Sequence, residues 1–167
     1  MKKKPRQLGY LPFEVIEEKI FLPSKEILEN GMSVIIECVE DIPCDPCEDS
    51  CKHGAIIKDS LTEAPYVNYE NCTGCASCVA ACPGLAIFVV DNRQEDKAIV
   101  YIPHEMLPVP KKGDKVDVLD RSGKLIGSAE VAKFKKGIRG TTILGILVEK
   151  DQAMKVRSII IQKRSNE

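Results

Sequence analysis

Cys72-Thr73-Gly74-Cys75-Ala76-Ser77-Cys78-Val79-Ala80-Ala81-Cys82-Pro83 is the stretch from which the rest of the chain is read. Its spacing, C-x2-C-x2-C-x3-C-P, is that of the thiolates that hold a cubane iron–sulfur cluster. Iron in such a group takes soft ligands, and two-residue gaps let successive thiols turn inward from one tight loop. Gly74 permits close backbone approach, and Pro83 stops the short helix expected after the third cysteine. Zinc knuckles need two separated pairs, which a four-cysteine run ending in proline does not supply. The fourth cysteine of such a run serves a second cluster, so Cys82 predicts a second motif elsewhere.

That motif lies upstream as Cys44-Asp45-Pro46-Cys47-Glu48-Asp49-Ser50-Cys51, each cysteine 31 residues before Cys75, Cys78 and Cys82. The same offset from Cys72 lands on Asp41, while Cys38 stands three residues earlier. With these residues the chain resembles the bacterial two-cluster ferredoxins over residues 32–102, departing from them at the first ligand. The resemblance implies two 4Fe-4S clusters with crossed ligation. One would take Cys51, Cys72, Cys75 and Cys78, and the other Cys44, Cys47, Cys82 and either Cys38 or Asp41. Cys38 is preferred because thiolate is the better iron ligand. A buried free Cys38, or a three-iron cluster lacking that ligand, stays open. Cys38-x5-Cys44 is one residue longer than the plant-type two-iron spacing.

Charge is split along the chain. Residues 1–102 hold 10 Lys/Arg against 17 Asp/Glu, and residues 103–167 hold 14 against 8. An acidic half and a basic half predict two domains with different partners. The chain begins Lys2-Lys3-Lys4-Pro5-Arg6 with no apolar segment behind it, and no apolar run approaches a bilayer-spanning length. A cytoplasmic location is expected, with reduced thiols and no transmembrane segment.

The fold class expected is α+β, a two-cluster ferredoxin-like domain followed by a small all-β, barrel-like domain. The boundaries expected are an N-terminal arm over 1–31, the ferredoxin-like domain over 32–102, and the β domain over 103–167. Leu8 to Leu22 shows no clean period and predicts an extended arm. Ser24 to Gly31 predicts a short capped helix. Strands are expected at 32–39, 55–57, 66–69, 86–90 and 98–102, then at 115–119, 125–131, 141–149 and 156–162, with a helical turn over 151–155. Pro103, Pro108 and Pro110 predict a linker, and Gly137 to Gly140 a hairpin turn. His53 and His104, each without a second ligand nearby, are expected on the surface. Pro43 and Pro46 replace Gly74 and Ser77 of the second half and cannot donate an N–H to a sulfide. With the surrounding carboxylates, this predicts the lower reduction potential for the first cluster.

No nucleotide loop, Ser-His-Asp set or residual metal site points to catalysis on this chain. An electron-transfer subunit without catalytic residues of its own is expected, relaying single electrons between a flavin-bearing partner and an acceptor. The stretches Glu37-Cys38-Val39-Glu40-Asp41-Ile42-Pro43-Cys44-Asp45-Pro46-Cys47-Glu48 and Cys82-Pro83-Gly84-Leu85-Ala86-Ile87-Phe88 resemble the iron–sulfur subunits of flavin-dependent dehydrogenase complexes of the proline, hydroxyproline or glycerol-3-phosphate type. That resemblance implies FAD on flavoprotein dehydrogenase partners only, in a hetero-oligomer. The alternative is a free-standing soluble ferredoxin with added terminal segments. Nucleic-acid binding by the β half is disfavoured, because Phe134 is its one candidate stacking aromatic.

Overall fold

The computed structural model describes residues 8–19 and 22–161; the Lys2–Arg6 terminus, Ile20, Phe21 and Gln162 lie outside them. The expected extended arm instead contains a helix, α1 (Phe13–Lys19). Pro12 starts it, its carbonyl accepting from the N–H groups of Val15 and Ile16 at 3.0 and 3.3 Å. Proline's fixed φ suits a helix start, and seven residues are under two turns, too few for a period to be legible. The capped helix α2 (Lys25–Asn30) forms as expected, with Ser24 Oγ accepting from Ile27 N–H at 3.4 Å.

Among the described residues, seven strands build one antiparallel sheet: β1 (Met32–Ile36), β4 (Ile87–Asp91), β5 (Lys97–His104), β6 (Lys115–Leu119), β7 (Leu125–Lys136), β8 (Thr142–Glu149) and β9 (Ser158–Ile161). Their order is β1-β4-β5-β8-β7-β6-β9. Two short strands, β2 (Ile56–Ile57) and β3 (Tyr66–Val67), pair separately. The hairpin turn forms as expected, Gly137 N–H donating to Thr141 O at 2.9 Å. The proline linker starts later than expected: β5 runs through Pro103, which stands opposite Ile143 beyond the last residue paired with β4. A strand edge left open there tolerates a residue with no N–H.

Among the described residues, those from 103 to 161 do not close into a barrel of their own. Their strands extend the sheet of the first half, because β5 pairs with β8 along all eight of its residues. The whole sheet curls. Arg157, next to β9, lies 4.7 Å from the ring of Phe88 on β4, although β4 and β9 are second and seventh in the sheet. Five strand spacings in a flat sheet would put them roughly 24 Å apart. Inside the curl, Ile35, Phe88, Val90, Val100, Val118, Leu144, Ile146 and Ile159 form the main core.

Residues one position along each strand face the other way. Val34, Ile36, Ile87, Val89 and Ile143 form a second core with the cysteine loops. β4 is therefore covered on both faces and buried at all five positions. Among the described residues no helix is long and apolar enough to cross a membrane.

Candidate metal centre

The 31-residue repeat of the sequence is also a repeat of structure. Two short helices, α3 (Pro46–Asp49) and α4 (Ser77–Ala81), carry Cys47 and Cys78 as buried second residues. Ile36 pairs with Ile87, and the equivalent residues Val67 and Ile56 pair with each other. Glu37 N–H donates to Ala86 O at 2.8 Å, as Asn68 N–H does to Ala55 O at 2.8 Å. The last cysteine of each loop receives the same contact: Ala55 N–H reaches Cys51 Sγ at 3.2 Å and Ala86 N–H reaches Cys82 Sγ at 3.4 Å. Backbone donors aimed at sulfur favour thiolate over thiol.

Cys38, Cys44, Cys47 and Cys82 line one cavity of about 690 Å³. Asp41 is exposed and does not line it. Cys38 leaves the end of β1, and Cys82 caps α4, so two of the four thiols come from outside the loop that holds Cys44 and Cys47. Burial pushes the Cys47 thiol up to about 11, the Glu48 N–H opposes this, and Cys82, Cys38 and Cys44 raise it further. Burial likewise raises Cys38, which has Cys82 and Cys44 as charged neighbours. Thiols crowded this way lose their protons when a cation binds among them. Lys58 braces the loop, its Nζ donating to Cys44 O at 2.5 Å and to Leu61 O at 2.7 Å.

Cys51, Cys72, Cys75 and Cys78 line a second, smaller pocket of about 20 Å³. Gly74 is required here by both conformation and space: φ is +67°, and a Cβ would lie 2.6 Å from Met32 Cγ. Burial drives the Cys78 thiol up to about 12, with Cys72, Cys75 and Cys51 adding to the rise. Cys75, at the exposed rim, behaves differently. Burial still raises it, but hydrogen bonds with Ser77 and Thr73 and the charge of Lys135 outweigh that, and its thiol is lowered. Lys135 on β7 donates to Cys75 O at 3.3 Å, which ties the β7–β8 hairpin to this rim.

Among the described residues no three His, Cys, Asp or Glu side chains converge on a single-ion site. Each foursome rims a space instead, and all-sulfur donors of this kind suit an iron–sulfur cluster. His53 is exposed, as expected. His104 is buried at the end of β5, contrary to expectation, because the strand continues over the core past Ile102.

The buried cluster of Glu37, Arg121 and Arg157 was not foreseen from the sequence. Arg157 Nε donates to Glu37 Oε1 at 2.7 Å, and Arg121 makes a two-pronged contact with the same carboxylate, Nε to Oε2 at 3.0 Å. The side chains of Glu37, Arg121 and Arg157 are only 7%, 10% and 4% exposed, and all three residues line the larger cavity. Their signal was slight: Arg157 follows Val156 and precedes Ser158-Ile159-Ile160-Ile161, a lone charge in an apolar strand.

Repeated loops and sorted thiols together form an all-sulfur donor arrangement of the kind that suits iron–sulfur binding. Residues 65–88 match the family described as 4Fe-4S binding domain, so this segment is a ferredoxin-type 4Fe-4S domain. The chain is similar to the ferredoxin-type protein NapF of Haemophilus influenzae, 29% identical over 86 residues, covering 48% of this chain and 49% of that one. It is similar to the aliphatic sulfonate oxidoreductase, polyferredoxin-like subunit, of Pyrococcus furiosus, 43% identical over 54 residues, 32% of this chain and 31% of that one. It is also similar to protein NrfC of Escherichia coli, 33% identical over 98 residues, 55% of this chain and 36% of that one. The matches thus span half or less of the length of these relatives. No solved structure matches the chain.

Proposed function

We propose that this chain is the electron-relay subunit of a larger oxidoreductase and holds two 4Fe-4S clusters. Cys38, Cys44, Cys47 and Cys82 would hold the first, and Cys51, Cys72, Cys75 and Cys78 the second. The observation that carries this reading is the sorting of eight thiols into two cavities with crossed membership. Cys51 belongs by sequence to the first loop but lines the second pocket, and Cys82 does the reverse. Each bound cluster would supply one-electron storage.

α4 is the bridge between the two. Cys78 and Cys82 lie one helical turn apart, about 6 Å along the axis. That spacing suits passage of an electron from one cluster to the other without a mobile part. Exposed Cys75 marks where the second cluster would meet a donor or acceptor, while Tyr10, Leu11 and Ile42 line the cavity of the first.

A partner carrying flavin, of the proline, hydroxyproline or glycerol-3-phosphate dehydrogenase kind, fits the resemblance of residues 37–48 and 82–88. Two of the relatives bear names that place them among ferredoxin-type proteins and oxidoreductase subunits, in keeping with assembly into a complex. FAD would sit on that partner, and the whole would work in the cytoplasm.

Anaerobic purification from the native source tests both halves of this reading. About eight irons per chain are expected for two 4Fe-4S groups, with the reduced protein giving an EPR spectrum split by interaction between two spins. Bound zinc, or about four irons, sinks the two-cluster reading. Elution as a lone 18.5 kDa species sinks the subunit reading in favour of a free-standing ferredoxin.

A further inference from the structure

The larger cavity has an asymmetric charge that the cysteines do not explain. Arg121 and Arg157 set two guanidinium groups against one carboxylate, Glu37, leaving one positive charge in excess within the wall. Arg157 Nε and Nη1 are satisfied by Glu37, by Ala153 O and by Val156 O, and the guanidinium lies 4.7 Å from the Phe88 ring, but Nη2 is buried without a hydrogen-bond partner. Buried positive charge in excess of its one carboxylate is disfavoured, so the arrangement favours an anion in the space it lines. The other charged residues of the lining do not meet the need. Glu40 and Glu63 are exposed and screened by solvent, and Lys58 adds to the positive side while bracing Cys44.

The same cavity gathers Cys38, Cys44, Cys47 and Cys82. A cubane with four thiolates carries about two negative charges when oxidised and one more when reduced. We propose that Arg157, held in place by Glu37 and reinforced by Arg121, is the counter-charge of the first cluster and raises its reduction potential. Reduction adds one electron to the cluster and takes up no group from the protein, so a fixed buried cation favours the reduced form electrostatically. The effect opposes that of Pro43 and Pro46, and it narrows the gap between the two clusters so that electrons can pass either way. This inference rests on the two-cluster reading.

A redox titration followed by EPR, on the full chain with both clusters, tests it. Arg157→Met shifts the first cluster's one-electron equilibrium about tenfold toward the oxidised form, a fall of about 59 mV. Glu37→Gln, which enlarges the excess positive charge, shifts it the other way, and Arg157→Lys stays near the parent. The second cluster holds its midpoint in all three. A role confined to packing would change cluster content or stability without this opposition of sign. Midpoints that stay put, or that move in the same direction in Arg157→Met and Glu37→Gln, overturn the counter-charge. If Arg157→Met fails to fold, an upward shift in Glu37→Gln supports the proposal and its absence overturns it. A parent protein with one cluster defeats the two-cluster reading and this inference with it; two clusters with unmoved midpoints defeat the inference alone.

Discussion

The N–H of Cys82 donates to the carbonyl of Cys78 at 3.1 Å, so one hydrogen bond closes the last turn of α4 between a thiol of the larger cavity and a thiol of the smaller pocket. The two sets are therefore joined through a single rigid turn.

Crossed membership makes a prediction that sequence order would reverse. Cys51→Ser removes the cluster held with Cys72, Cys75 and Cys78 and spares the one beside Cys44 and Cys47. About half the iron is lost, and the EPR spectrum of the reduced protein loses its spin–spin splitting. Loss of the other cluster instead would show that the ligands pair by loop.

Cys38 and Asp41 are told apart by the cavity, which Cys38 lines and Asp41 does not. Asp41→Ala leaves iron content and both midpoints unchanged. Cys38→Ala yields a three-iron first cluster or none, read as an isotropic oxidised EPR signal or as iron loss. Equal effects of the two substitutions would contradict the geometry.

Lys135 on the Cys75 carbonyl sets positive charge at the exposed rim, and Lys133, Lys136 and Arg139 are exposed on the same hairpin. Lys133→Glu, Lys135→Glu and Lys136→Glu combined slow electron exchange with an anionic oxidant such as ferricyanide by roughly tenfold or more at low salt. The difference fades as the Debye length drops to about 8 Å at physiological ionic strength. A cationic oxidant speeds up instead. Insensitivity of both would place the exchange surface elsewhere.

His104 gives stability a pH dependence. Burial lowers its pKa from 6.5, against hydrogen bonding with the backbone at Met106 and Pro108, so the folded protein keeps it neutral where the unfolded chain already binds a proton. Stability is then lost as pH falls from 6.5 toward the lowered folded value, and no further loss comes from this group below that. Urea denaturation at stepped pH shows the slope, and His104→Gln flattens it. An unchanged slope in that variant would assign the dependence to other groups.

Much of the site was legible in the sequence. The run Cys72–Pro83 and its 31-residue echo announce the thiols and a short helix next to Cys78, because ligand geometry dictates spacing within a loop; the matching helix that bears Cys47 was not expected. The capped helix before Gly31 and the hairpins after residue 86 follow from local turn and pattern rules. α1 and the depth of His104 did not, since neither a seven-residue helix nor the burial of one strand end leaves a periodic trace.

What the sequence determined by itself is therefore chemical: sulfur donors, their order, and the strands that carry them. The tertiary structure alone decided that β5 and β8 merge the two halves into one curled sheet, that Cys38 rather than Asp41 reaches the cavity, and that Arg157 meets Glu37 from 120 residues away. The physical reason is one of range. Ligand spacing and capping act over a few residues, whereas the burial of both faces of β4, and with it the curling of the sheet upon a charged cluster, depends on which distant strands and loops cover each face.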